Sequence, residues 1–399
     1  MRNTILSLLT LTAITLSSCS QKLHFKKEVN QAEKQTTLML QEIAKANNKN
    51  GTLVSPRTLE DGKLKLVAST DWTSGFFPGE LWCLYELTKN EKWKQQAIKF
   101  TAPIEQEKLN GKTHDMGFKV YCSFGNAYRL NKNQHDKAVV IQAARTLSTR
   151  FSPKVGAIRS WDHNSDKWDF PVIIDNMLNL ELLFEATKLS GDSSFYKIAV
   201  AHANTTMKNH FRKDFSTWHV VDYDPETGAV EKKNTHQGYS DASAWARGQA
   251  WAIYGYTMCY RETKDPKYLL QAQNIAKFLF NNRNMPSDLV PYWDFDAPNI
   301  PDEPRDASAA ALISSALFEL STYTEEKNDY LEKAEKILYS LSTSYTSPIG
   351  ANRGFILLHS TGSKPHNSEV DEPLSYADYY YLEALTRSNR LRNNQPVIQ

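Results

Sequence analysis

Apolar and small residues recur at helical spacing in six segments, residues 75–87, 115–128, 175–187, 242–262, 306–323 and 376–386. Their apolar positions run round the whole helix instead of forming one stripe, which predicts helices buried on most faces. Each of the first five is followed by a more polar segment with one apolar face, at 92–105, 134–150, 194–210, 266–281 and 328–345, and a sixth, 28–47, precedes the first apolar one. The pattern predicts an all-α chain of twelve helices, buried and half-exposed in alternation, with about 40–70 residues per pair, longer than most solenoid repeats. Such alternation suits a closed two-layer toroid with apolar helices inside; an open superhelical solenoid is the competing layout. Period-two alternation is weak, so strands are expected to be few and short. No low-complexity linker follows residue 28, which makes 29–390 one domain and 391–399 a C-terminal tail.

The N-terminus breaks this pattern. Arg2 precedes an apolar stretch at 5–16, and the small residues Ser17 and Ser18 lead into Cys19, the layout of a signal peptide and too short to span a bilayer. The ending Leu16-Ser-Ser-Cys19 resembles a bacterial lipobox, in which the cysteine becomes the lipidated first residue. On that reading residues 1–19 are a lipoprotein-type signal segment with Cys19 as the lipidation site, and 20–28 are a tether. The protein is then a periplasmic or cell-surface lipoprotein, expected at a bacterial outer membrane, and the lipid is its only expected membrane contact. Cys83, Cys122 and Cys259 remain, an odd number in apolar or aromatic surroundings without a CxxC, and are read as buried thiols.

Composition narrows the class further. With 41% hydrophobic and 23% charged residues the chain builds a real core, which excludes disorder and a disulfide mini-scaffold. Lys and Arg number 47 against 45 Asp and Glu, and no basic run interleaves with aromatics, so nucleic acid is not an expected partner. The 9 Trp, 19 Tyr and 17 Phe supply amphipathic rings, for which carbohydrate stacking is one natural use.

The chemistry-bearing residues concentrate in the connections. They include Asp71-Trp-Thr-Ser-Gly-Phe-Phe-Pro-Gly79, His114-Asp-Met-Gly-Phe118, Trp161-Asp162, Asp175-Asn-Met-Leu-Asn179, Trp218-His219, His236-Gln237 and Trp245-Ala-Arg-Gly-Gln249. No HExxH, Gly-rich phosphate loop or GxSxG elbow is present, so metal hydrolase, kinase and serine esterase readings fall away and no metal or cofactor is expected. Asp115 and Asp175 both open apolar helices. Each fits a helix N-cap, and each fits an acid placed at a shared mouth, where two nearby carboxyls cannot both ionise easily. Arg247 fits either a buried partner for an inner acid or a receptor for a substrate carboxylate. His114, His219 and His236 fit core roles as well as binding ones, as do Trp72, Trp161 and Trp251.

Taken in order, these motifs resemble the unsaturated glucuronyl hydrolases, glycoside hydrolase family 88, over nearly all of residues 30–390. The resembling stretches are Trp72-Thr-Ser-Gly-Phe-Phe-Pro-Gly79, His114-Asp-Met-Gly-Phe118, Asp175-Asn-Met-Leu-Asn179, Gln237-Gly-Tyr-Ser-Asp-Ala-Ser-Ala-Trp-Ala-Arg-Gly-Gln-Ala-Trp251 and Pro291-Tyr-Trp-Asp-Phe-Asp-Ala-Pro298. The resemblance implies an (α/α)6 barrel and removal of the 4,5-unsaturated uronic acid that a polysaccharide lyase leaves at a non-reducing end. It implies Asp175 as general acid/base, Asp115 as a second essential carboxylate, and substrate contacts from His114, Trp72, Trp161, His219, Gln237, Arg247 and Trp251. Some relatives acting on sulfated glycosaminoglycan fragments carry a Ser-and-Lys segment before the last inner helix. Here that stretch is His359-Ser-Thr-Gly-Ser-Lys-Pro-His366, which makes Ser360, Ser363 and Lys364 candidate contacts for an anionic aglycone. The expected partner is an unsaturated uronyl oligosaccharide of glycosaminoglycan or ulvan type. An unsaturated rhamnogalacturonyl hydrolase and a lipid-anchored glycan-binding protein without turnover are the competing functions.

Overall fold

The structure, a computed structural model, describes residues 24–46 and 51–398. The expected signal segment and Cys19 lie outside them. Inner helices are α2 (Phe76–Thr88), a π-helical stretch (Gly117–Gly125) continuing into α4 (Asn126–Asn131), α6 (Asn176–Ser190), α8 (Ala246–Thr263), α10 (Ala307–Leu320) and α12 (Ser375–Arg392). Outer helices are α1 (Phe25–Lys45), α3 (Glu91–Thr101), α5 (Gln134–Ser148), α7 (Ser193–Asn209), α9 (Pro266–Asn281) and α11 (Lys327–Ser344). Each inner helix packs on the next, and α12 packs back on α2. That closure makes an (α/α)6 barrel and excludes the open solenoid.

The local causes are visible in the residues. All of α10, Ala-Ser-Ala-Ala-Ala-Leu-Ile-Ser-Ser-Ala-Leu-Phe-Glu-Leu, is buried, its small residues allowing close approach of α8 and α12. Of the outer helices, α3, α5, α7 and α9 start on side-chain caps: Asn90, Asn133, Asp192 and Asp265 each accept the N–H two residues on. Among the described residues four antiparallel ribbons fill connections that lead into inner helices. They are β1 (Leu53–Glu60) with β2 (Lys63–Ala68), β3 (Phe151–Ser152) with β4 (Ala157–Ile158), β5 (Pro171–Ile173) with β6 (Val220–Tyr223) and β7 (Val230–Asn234), and β8 (Ser360–Ser363) with β9 (Ser368–Glu372). They stand at the end where the inner helices begin.

Three boundaries differ from expectation. The tether ends early, because α1 begins at Phe25 and Glu28 is buried. The C-terminal tail begins late and is not free: α12 runs to Arg392, and the Arg390 guanidinium donates to the carbonyl of buried Val397. The segment expected as helix from 242 becomes helical only at Ala246, because Trp245 bridges Asp294 and the Phe295 N–H donates to Ala244 O. Cys83, Cys122 and Cys259 are free and buried, as expected. Among the described residues no helix is long and apolar enough to cross a membrane.

One buried acid pair lies near the starts of α2 and α12, on the side facing α1. Glu80 on α2 accepts from the Thr36 hydroxyl at 2.7 Å, and Asp378 on α12 accepts from Ile356 and Leu357 N–H. Burial, and for Glu80 also the neighbouring Asp378, pushes both pKa values up. The folded state therefore binds more protons than the unfolded chain, and stability falls as pH rises above the ordinary carboxylate range. Glu80→Gln keeps the acceptor for Thr36 and removes the ionisation. Its melting temperature is expected to decline less than wild type between pH 5 and 8, by the equivalent of about 1 kcal/mol. Parallel declines would show that the pair carries no such linkage.

Candidate active site

A cavity of about 400 Å³ opens at the end of the barrel where the ribbons gather. Asp175 and Asp115 both line it, brought together by a close approach of two inner helices. A Cβ on Gly117 would stand 2.7 Å from Asn179 Cα, and the Phe118 N–H donates to Asn179 Oδ1. Only glycine allows that contact. The β5–β6 pairing completes the arrangement, since the Ile174 N–H donates to His219 O and so sets Asp175 beside His219.

The two acids differ in their surroundings. Asp175 stands at the N-cap position of α6 but makes no cap hydrogen bond, unlike the acids and amides that start the outer helices. It is 8% exposed, and its Oδ2 has no hydrogen-bond partner within the protein. Burial pushes its pKa up to about 6, helped by the charge of Asp115 and opposed by His114 and Arg247. For Asp115, burial also opposes ionisation, but the His114 ring at 3.1 Å and the Thr113 hydroxyl at 2.5 Å outweigh it and hold the carboxyl below its usual range. One acid is thus poised to hold a proton near neutrality and the other to stay anionic.

His219 stands behind Asp175, its Nε2 3.7 Å from Asp175 Oδ2. Its Nδ1 accepts from the N–H groups of His236 and Gln237, both at 3.1 Å, so Nδ1 is unprotonated and Nε2 carries the hydrogen. Burial and nearby positive groups keep this ring neutral. Arg247 donates to Asp306 at 2.8 Å and to the carbonyls of Thr361 and Gly362, with the Trp245 ring against one face. The inner-acid partner anticipated for it is therefore Asp306, while the guanidinium still borders the cavity. Gln237 donates to Gly362 O at 3.1 Å. Trp72 and Trp161 form aromatic walls, Trp72 packed on Phe118 and Tyr376, and Trp161 stacked on His163.

Other expected contacts lie elsewhere. Trp251 is fully buried one helical turn beyond Arg247, behind Phe118 at 5.1 Å and against Tyr380 at 5.7 Å, so it is no part of the cavity wall. Ser360 is buried at the start of β8, off the wall. Lys364 turns away to pair with Glu303. Only Ser363 of that trio lines the cavity, its hydroxyl 2.7 Å from His366 Nδ1. Sequence reasoning missed Arg57, His163, His366 and Glu369, which also line it. Arg57 bonds Glu369 and, at 2.8 Å, Asp71. His163 was within reach, two residues after Trp161; the pairing of Arg57 with Glu369 spans 312 positions and leaves no local signal. Among the described residues no cluster of His, Cys, Asp or Glu could hold a metal ion.

The family model for Glycosyl Hydrolase Family 88 matches residues 42–388. The chain is 57% identical over 327 residues to an unsaturated glucuronyl hydrolase of Formosa agariphila, covering 82% of each. It superposes with a TM-score of 0.88 on an unsaturated glucuronyl hydrolase specific for heparin, at 46% identity and over 92% of this chain and 98% of that one. A mutant of the unsaturated glucuronyl hydrolase of Streptococcus agalactiae complexed with dGlcA-GalNAc6S superposes with a TM-score of 0.74 at 31% identity, over 90% of each chain. An acid pair split in proton affinity at the mouth of an (α/α)6 barrel, with these matches over most of the chain, places the protein in glycosyl hydrolase family 88 as a glycoside hydrolase that removes an unsaturated uronic acid from oligosaccharides.

Proposed function

We propose that Asp175 is the general acid and base of this hydrolase and that Asp115 stabilises the positive charge that develops. The observation that carries this reading is the opposite displacement of the two carboxyl pKa values within one cavity. Protonated Asp175 gives its proton to C4 of the vinyl ether, and the C4=C5 electron pair forms the new C–H bond. C5 and the ring oxygen share the resulting positive charge, which faces the anionic Asp115. The Asp175 carboxylate then takes a proton from the water that adds at C5. The hemiketal opens by cleavage of C5–O5, leaving a keto group at C5 and a hemiacetal at C1, which expels the aglycone as an alcohol. Arg247 suits the uronate carboxylate, and Trp72 and Trp161 suit the sugar faces.

The substrate follows from the same chemistry: unsaturated disaccharides released by lyases from glycosaminoglycans or from a uronic polysaccharide of ulvan type. The relatives named for heparin and for dGlcA-GalNAc6S support the first of these. The test is loss of the ultraviolet absorbance of the C4=C5 uronate on chondroitin, heparin, hyaluronan and ulvan lyase products. Decay is expected on at least one, and the rank order identifies the aglycone; no decay on any overturns the substrate assignment.

Export and lipidation at Cys19, with residence at a bacterial outer membrane, belong to the same proposal and are supported by the apolar stretch before the Leu16-Ser-Ser-Cys19 motif. Cells expressing the full chain are expected to label it with radioactive palmitate, and Cys19→Ala to abolish the label. Equal labelling of both would remove Cys19 as the site.

A further inference from the structure

Asp294 is fully buried, and among the described residues no ion pair reaches it. Its Oδ2 accepts from the Tyr239 N–H at 2.9 Å and the Ser243 hydroxyl at 2.7 Å, and its Oδ1 from the Asp296 N–H at 2.9 Å. Burying a carboxyl among neutral donors alone is costly, so the arrangement calls for a role. What these bonds hold is the connection from β7 into α8. Within it, Asp241 accepts from Thr235 N–H and the Asn234 amide, and the Gly238 N–H donates to the Thr235 hydroxyl. A Cβ on Gly238 would stand 3.1 Å from Asp294 Oδ2, so the loop lies directly on this carboxyl. The same loop presents the two N–H groups, of His236 and Gln237, that close on His219 Nδ1.

We propose that Asp294 is a positioning residue for the reaction: it locks the 235–243 loop so that the His236 and Gln237 N–H groups hold His219 in its Nε2–H tautomer, facing Asp175. Asparagine cannot replace it, because both carboxyl oxygens accept from N–H or O–H donors and an amide offers one acceptor. With the loop released, His219 loses the two donors that fix its tautomer. In the other tautomer the ring turns an unprotonated Nε2 toward Asp175 Oδ2, 3.7 Å away, and a lone pair there favours the protonated carboxyl, so the Asp175 pKa rises further. The kinetic part of this inference rests on the acid/base role proposed for Asp175; the tautomer part does not.

The full chain with ¹⁵N-labelled histidine reads the tautomer directly, beside kcat, KM and the pH profile of the uronate absorbance assay. In wild type the His219 Nδ1 signal is expected to be that of an unprotonated nitrogen. In Asp294→Asn it moves toward the protonated value, kcat falls about tenfold or more while KM changes little, and the alkaline limb of activity moves to higher pH. Ser243→Ala, which removes one donor to Asp294, is expected to shift each readout the same way by less, and it decides the matter if Asp294→Asn does not fold. An unmoved Nδ1 signal in the folded variants overturns the proposal, whatever happens to the melting temperature. A moved signal with an unmoved pH profile upholds Asp294 and overturns Asp175 as the titrating acid.

Discussion

Asp175→Asn is expected to lower kcat about 10³-fold while leaving the melting temperature close to wild type, since general acid–base catalysis contributes 10²–10⁴-fold and the side chain makes no cap bond that the amide would lose. Wild-type activity is expected to fall as pH rises through about 6, where Asp175 gives up the proton that the proposed mechanism delivers to C4. The acid limb is expected below the usual carboxylate range, because Asp115 is held there and the proposed mechanism requires its anion. Asp115→Asn removes that anion and one of the influences that raise the Asp175 pKa, so its residual activity has an alkaline limb shifted to lower pH. Steady-state rates from about pH 3 to 9 on the three proteins check the alkaline limbs and show whether activity holds on the acid side down through the usual carboxylate range. Near-wild-type turnover in Asp175→Asn would remove it as the acid, and an alkaline limb that survives there unchanged would assign the titration to another group.

Gly117→Ala is the second change with a large expected effect, and it acts through geometry alone. The added methyl group meets the backbone of Asn179 at 2.7 Å, closer than real Cβ contacts come, and a backbone atom cannot turn aside. The start of α6 must therefore move away from the π-helical stretch, and Asp175 moves with it, away from Asp115. A displacement of about 1 Å between catalytic groups is enough to lower kcat about 100-fold. Overpacking of this kind also destabilises by about 1–3 kcal/mol. Kinetics and thermal denaturation on the same preparation separate the two effects. If stability falls and kcat does not, the close approach at Gly117 serves the barrel and not the acid pair.

The barrel was legible in the chain because burial has a period. Inner helices such as α10 have no polar face and outer helices such as α9 have one, and that contrast shows in hydropathy without any knowledge of neighbours. The acids, the mouth tryptophans and Arg247 were legible because they sit in dense motifs in the connections and at helix starts. What failed did so for stated reasons. Trp251 shares a motif with Arg247, but one further turn of α8 carries it behind Phe118. Lys364 follows Ser363, yet the turn after β8 sends it to Glu303. Arg57 and Glu369 are ordinary surface-type residues until β1 and β9 meet, and Glu369 takes a left-handed backbone, φ 56°, that no local pattern announces.

By itself the sequence determined the helices of the barrel, their alternation in burial and the set of residue types gathered in the connections, because each is a property of short stretches. The tertiary structure decided the rest. A cap and the acid proposed here for catalysis look the same along the chain, and only the unmade cap bond, the burial and the charges of His114, Arg247 and Asp115 around Asp175 set its proton affinity near neutrality. Proton affinity is set by solvent exclusion and by charges a few ångströms away, and those neighbours come from segments that lie far apart along the chain and meet only when the ring of helices closes.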